Sequence, residues 1–130
     1  MKKHLFTIIS LCLLVSLFAG CSKKNDSEPL RIGIPDDATN GGRAIKLLET
    51  AGLITVDPAA GYTPEIADIT GYIYNIEIIP AQANTLPATL DDYGGSCING
   101  TYAVPAGLRA SDALIRETQS TGSDNPYFNI

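Results

Sequence analysis

The chain has 130 residues, a formal net charge of −5, 18% charged and 45% apolar residues, a composition that describes one modest folded domain rather than a disordered chain. All 14 acidic residues follow residue 21, whereas Lys2 and Lys3 are two of the nine basic ones. The remainder is therefore acidic and a poor electrostatic partner for nucleic acid. The only histidine, His4, lies in the same leader; with the leader cut, His-dependent nucleophilic or metal chemistry is excluded, and no cofactor is expected.

Met1-Lys2-Lys3-His4 is a positive start, and Leu5 to Ala19 is a nearly continuous apolar run. That run is short for a membrane span and suits the apolar core of a signal peptide over residues 1–20; the alternative is an uncleaved anchor helix. It ends in Leu17-Phe18-Ala19-Gly20-Cys21, which resembles the lipobox of bacterial lipoproteins, cut before the cysteine and lipidated on it. Phe18 stands where that pattern more often has Leu or Val. Lipidation of Cys21 implies a lipid-anchored protein on the extracytoplasmic side of the bacterial cell membrane. After cleavage Cys97 is the one thiol left free, so no internal disulfide is available. The polar stretch from Ser22, with Cys21 at its head, reads as a flexible tether ending at Leu30.

From residue 31 to 130 one domain is expected. Leu30 to Ile34 alternates apolar and other residues and is a strand stopped by Pro35. A polar turn, Asp36 to Asn40, leads into a helix from about Gly41 to Ala51, with Thr39 and Asn40 as its cap and Arg43 in its first turn. Ala44, Leu47, Leu48 and Ala51 form the apolar stripe, and Gly52 suits the position that ends the helix. A short extended piece follows at Leu53–Val56, then a short helix from a Thr63 cap and Pro64 through Ile69. The second strand is expected over Tyr72 to Pro80, mainly Ile76–Ile79. A helical stretch from Leu86 to Asp92, a third strand at Ser96-Cys97-Ile98, a helical turn or two from Thr101 and a fourth strand over Asp112 to Glu117 complete the reading. Alternating strands and helices predict an α/β fold with a mainly parallel sheet flanked by helices, with ligands at the carboxyl ends of the strands. Asn40, Arg43 and Asn99 fall on that edge.

The candidate chemistry is binding rather than catalysis. Backbone N–H groups and the Arg43 guanidinium at one helix start suit a carboxylate-sized anion; equally, Arg43 is a surface arginine paired with Asp36 or Asp37. Asn99 either offers its amide to a ligand or forms a turn with Gly100. Gly41-Gly42 lacks the Gly-Lys-Ser/Thr ending of a phosphate-binding loop. The pairs Asp36-Asp37 and Asp91-Asp92 suit capping and solvation better than acid/base work. Cys97, without basic neighbours, reads as an inert buried thiol.

Ile34-Pro35-Asp36-Asp37-Ala38-Thr39-Asn40-Gly41-Gly42-Arg43-Ala44, with Leu47 to Ile54 after it, resembles the central part of the NlpA-type methionine-binding lipoproteins. Ala67-Asp68-Ile69, Leu86 to Asp92, Ile98-Asn99-Gly100-Thr101-Tyr102-Ala103, Gly107-Leu108, Asp112-Ala113-Leu114 and Asn125 to Ile130 follow in the same order. The resemblance implies a substrate-binding lipoprotein of an ABC importer for L- or D-methionine or a related amino acid, partnered by the transporter permease, with a type II periplasmic-binding-protein fold. It places the ligand's carboxylate on Arg43, its backbone on Asn99, a further contact on Asn129, and the shaping of the turn on Asn40. It also implies that a first lobe, which reads the methionine side chain, is missing between tether and turn. The alternative is a binding-deficient lipoprotein acting only through protein contact with a transporter or a complementary lobe. An enzyme is not expected.

Overall fold

The computed structural model describes residues 28–117. Cys21 and Asn129 therefore lie outside the described residues. Strand β1 (Leu30–Pro35) is central in a three-stranded sheet, flanked by β4 (Ile76–Ala81) and β5 (Gly95–Ser96). Both neighbours run parallel to it, in register Leu30 to Ile76 and Ile32 to Gly95. Ile32 to Pro35 are all buried, the pattern of a strand covered on both faces. Leu30, where the sequence reading starts the first strand, is the first residue of β1.

Helix α1 (Ala38–Thr50) covers one face of the sheet with Gly41, Gly42, Ala44, Ile45 and Leu48. The core joins Ile32 and Ile34 to Ala44, Ile45 and Leu48, with Ile54, Val56 and Ile76 around them. The buried stripe thus includes Ile45 and two glycines; Leu47 and Ala51, expected in it, are half-buried. Apolar counting misses the glycines because they contribute proximity rather than side chain. A Cβ on Gly41 would lie 2.8 Å from Pro35 O, and one on Gly42 2.9 Å from Thr63 Cα. The helix ends as expected: Gly52 (φ 73°) donates to Glu49 O and Leu53 to Leu48 O, closing the last turn with the left-handed residue that only glycine adopts easily. On the opposite face of the sheet, a Cβ on Gly33 would meet Ser96 Oγ, Leu86 and Tyr93; Leu86 is fully buried there.

Several sequence expectations are corrected. Strands β2 (Ile54–Val56) and β3 (Ile69–Tyr72) form an antiparallel pair, tied by the Thr55 and Thr70 hydroxyls at 3.0 Å; only the first was expected to be extended. The helix expected from Thr63 is a single 3-10 turn, Ile66–Asp68, capped by Glu65. Between Leu86 and Asp92 only Leu90–Asp92 is helical, a 3-10 turn, and the residues before it are hydrogen-bonded turns in which Ala88 and Thr89 N–H donate to Thr85 O. The third strand is two residues long, at Gly95–Ser96, although Cys97 N still donates to Gly33 O. Asp112 to Glu117 is not a strand: Arg109 pairs with Asp112 (2.9 Å) and closes a turn at Ala110–Asp112, and Leu114 is fully exposed, so no face exists for a strand to bury.

Candidate functional site

β4 and β5 lie on opposite sides of β1, so the chain leaves β1 toward one side and returns on the other. The carboxyl ends of β1 and β5 therefore meet at a reversal of strand order, where open α/β sheets form ligand crevices. An open cleft of about 340 Å³ lies there, lined by Asn40, Arg43, Asn99, Gly100, Thr101 and Tyr102. That size is at the lower end of the roughly 300–1,000 Å³ of ligand pockets. Three of the four ligand-binding candidates thus converge on one cleft.

The start of α1 decides how they do so. Asp36 N still donates to Ala81 O (3.0 Å), which holds residue 36 in line with the sheet and lets the helix begin at Ala38. The cap is then Asp37, in extended conformation, whose carboxylate accepts from Asn40 N at 2.9 Å. Thr39 and Asn40, expected as caps, are inside the helix, and Arg43 is in its second turn rather than its first. Of the backbone N–H groups expected to meet a ligand anion, that of Asn40 is served by the protein's own carboxylate.

Asp37 also fixes the side chain of Asn40, whose Nδ2 donates to both carboxylate oxygens at 3.1 and 3.0 Å. These hydrogen bonds, first from the Asn40 backbone and then from its amide, lower the Asp37 pKa below its ordinary value of 3.8. With Nδ2 committed, Asn40 Oδ1 faces the cleft residues and accepts from Arg43 Nη1 (3.2 Å) and Asn99 Nδ2 (2.8 Å). Two donors saturate that oxygen, and they fix the amide of Asn99 in turn. Its Oδ1 is left buried without a hydrogen-bond partner, an unmet acceptor of the kind that a ligand donor satisfies.

Arg43 does not pair with Asp36 or Asp37. Its Nε and Nη2 grip the carboxylate of Glu117 at 3.1 and 2.5 Å in a bidentate fork, the geometry that guanidinium and carboxylate favour. No local signal marks Glu117, which lies 74 positions away. Asn99 is the cap residue of α2 (Gly100–Ala103), accepting through its carbonyl from Tyr102 and Ala103, and is not a simple turn residue. Its Thr101 and Tyr102 neighbours line the cleft although neither was singled out. Cys97 is half-buried, and that burial raises its thiol pKa from 9.0 to about 11, which disfavours the reactive thiolate.

Comparison with known proteins gives the geometry a context. The NlpA lipoprotein family profile matches residues 27–130. The D-methionine-binding lipoprotein MetQ of Escherichia coli (strain K12) is 34% identical over 120 residues, covering 86% of this chain and 43% of that protein. Immunogenic lipoprotein A from Vibrio vulnificus superposes with a TM-score of 0.67 at 37% identity, over 72% of this chain and 41% of that one. A nutrient binding protein from Burkholderia cenocepacia, bound to methionine, superposes with a TM-score of 0.65 at 28% identity, over 72% and 42% of the two chains. The expected α/β fold of periplasmic-binding-protein type is shared with them, and these relatives are binding proteins and lipoproteins rather than enzymes. The chain spans about 43% of the length of the curated relatives it matches. On the profile match over residues 27–130, the chain belongs to the NlpA lipoprotein family.

Proposed function

We propose that this chain is a substrate-binding lipoprotein for methionine or a related amino acid, serving an ABC importer. The observation that carries the reading is the convergence of Arg43 and Asn99 on one cleft, both oriented by Asn40, with Asn99 Oδ1 buried and unpartnered. An α-amino acid brings a carboxylate and an ammonium a few ångströms apart. Arg43 supplies bidentate charge-assisted donors for the first, and the Asn99 carbonyl oxygen supplies an acceptor for the second. Asn40 positions both rather than touching the ligand, and Asn129 is assigned a further contact by its family motif alone. Membership of the NlpA family and the methionine-binding names of the relatives support the ligand class.

The same reading assigns residues 1–20 to a signal peptide, Cys21 to lipidation, the stretch before β1 to a tether and residues 31–130 to the binding lobe. The protein then sits on the extracytoplasmic side of the bacterial cell membrane, where the importer's permease is its partner. Isothermal titration with L- and D-methionine tests the binding claim. The expected result is saturable heat whose affinity Arg43→Ala reduces, since the variant removes the cation that faces the ligand carboxylate and leaves the Glu117 carboxylate unpaired beside it. Absence of heat at millimolar ligand, with a partner protein still captured by the Arg43→Ala variant, would replace ligand binding by protein contact.

A further inference from the structure

We propose that Glu117 is a specificity-determining residue of this site: its carboxylate already fills the Arg43 fork, so a ligand is admitted only if it brings more than a carboxylate. The inference rests on the head-group reading above. Glu117 Oε1 and Oε2 take Arg43 Nε and Nη2 at 3.1 and 2.5 Å, the two donors that a ligand carboxylate would use. The pair is not locked away, with side-chain exposures of 32% for Arg43 and 48% for Glu117, and half-exposed pairs exchange with competitors. Ligand entry is therefore an exchange of one carboxylate for another. At the Nε and Nη2 fork a simple carboxylic acid makes no more contacts than Glu117 gives up, and it competes with a group held in the same molecule at high effective concentration.

An amino acid changes that balance. Its ammonium reaches the Asn99 Oδ1, which is buried and unpartnered, and the carboxylate of Glu117, displaced but still tethered nearby. Two new charge-assisted contacts then accompany the exchange. Glu117 thus selects zwitterionic amino acids against deaminated analogues, which present the same carboxylate and side chain without the ammonium.

Titration of the full chain in detergent with L-methionine and with its deaminated analogue, a methylthio-substituted butanoate, tests this. In the Glu117→Gln variant the fork loses its charged occupant. The analogue is expected to bind about threefold to fivefold more tightly than to the wild type, by removal of a competing occupied state, and the preference for methionine over the analogue should fall by a similar factor. Glu117→Ala should behave alike. An analogue affinity unchanged in both variants, while methionine binds the wild type, overturns the role of Glu117 and leaves methionine binding standing. If methionine binds neither protein, the head-group reading falls, and the occupancy of the fork is decided by NMR of the Arg43 Nε–H with acetate as probe. Acetate shifting that resonance in Glu117→Gln but not in the wild type supports the occupied fork; an equal response, or none in either, overturns it.

Discussion

Replacing Asp37 is the perturbation that separates the local from the functional consequences of this architecture. In Asp37→Ala the cap of α1 disappears: Asn40 N loses its acceptor at 2.9 Å, worth about 1 kcal/mol in comparable caps. The Asn40 amide also loses both of its oxygens, a net hydrogen bond of about 0.5–1 kcal/mol. Together the change removes about 1.5–2 kcal/mol, or about 6–15 °C in the melting temperature of a domain of this size. Asp37→Asn keeps one oxygen for the Asn40 N–H, and asparagine caps about as well as aspartate, so it should lower the melting temperature by no more than a third of that. Circular dichroism melts read both. Acid gives an independent check. The folded pKa of Asp37 lies below its ordinary 3.8, so the wild-type advantage over Asp37→Asn is complete above the ordinary value and is lost as the pH falls through the folded one. Binding follows the same chain of contacts, because Asn40 Oδ1 is aimed by Asp37: methionine affinity should fall in Asp37→Ala and largely survive in Asp37→Asn. A melting temperature for Asp37→Ala within 2 °C of wild type, or equal losses in the two variants, refutes the reasoning.

Two further outcomes follow from the packing. Gly42→Ala should lower thermal stability even though alanine is favoured over glycine inside a helix by about 1 kcal/mol. The added Cβ lies 2.9 Å from Thr63 Cα and 3.3 Å from Pro64 O, well inside the roughly 3.5–4.0 Å of an ordinary contact, and overpacking of this kind costs about 1–3 kcal/mol; a raised melting temperature would refute the close approach. Alkylation of Cys97 in the folded protein at pH 8, followed by peptide mass, should be about a hundredfold slower than after unfolding, because burial lifts the thiol pKa from 9.0 to about 11 and only the thiolate reacts. Equal rates in both states would contradict that burial.

The first strand, the turn and the helix were legible because their signals are local. Ile32 and Ile34 alternate with Gly33, Pro35 closes the run, and Gly52 ends the helix in a left-handed conformation that the sequence marks by residue type. The start of the helix was not, since Asp36, Asp37, Thr39 and Asn40 are all able caps. The choice fell to Asp37 because Asp36 is still held to Ala81 across the sheet, a contact between residues 45 positions apart in the chain. Strand β3 escaped notice for a similar reason: Ile69-Thr70-Gly71-Tyr72 is short and interrupted by glycine, and its pairing with β2 is what makes it a strand. Arg43, Asn99 and Asn40 were legible as site candidates from their places at the carboxyl edge of the sheet, and the family resemblance supplied only the role expected of each. Glu117 was not legible at all, because an ion pair across 74 positions leaves no periodicity, spacing or composition to read.

The hydrogen-bond directions assign unequal roles to residues that the sequence presents as equals. Asn40 Oδ1 has two lone pairs and carries two donors, Arg43 Nη1 and Asn99 Nδ2, while its Nδ2 is spent on Asp37. It has nothing left to offer a ligand without first releasing one of these groups. Asn99 is the reverse case, with its nitrogen committed and its oxygen unpaired. Direction propagates along this line from one end: an acceptor-only carboxylate at Asp37 obliges the Asn40 nitrogen to face it, which turns the Asn40 oxygen toward Asn99 and leaves the Asn99 oxygen for a donor. The capping carboxylate of α1 therefore sets the polarity of the cleft from outside it, and a ligand group that meets Asn99 must be a hydrogen-bond donor.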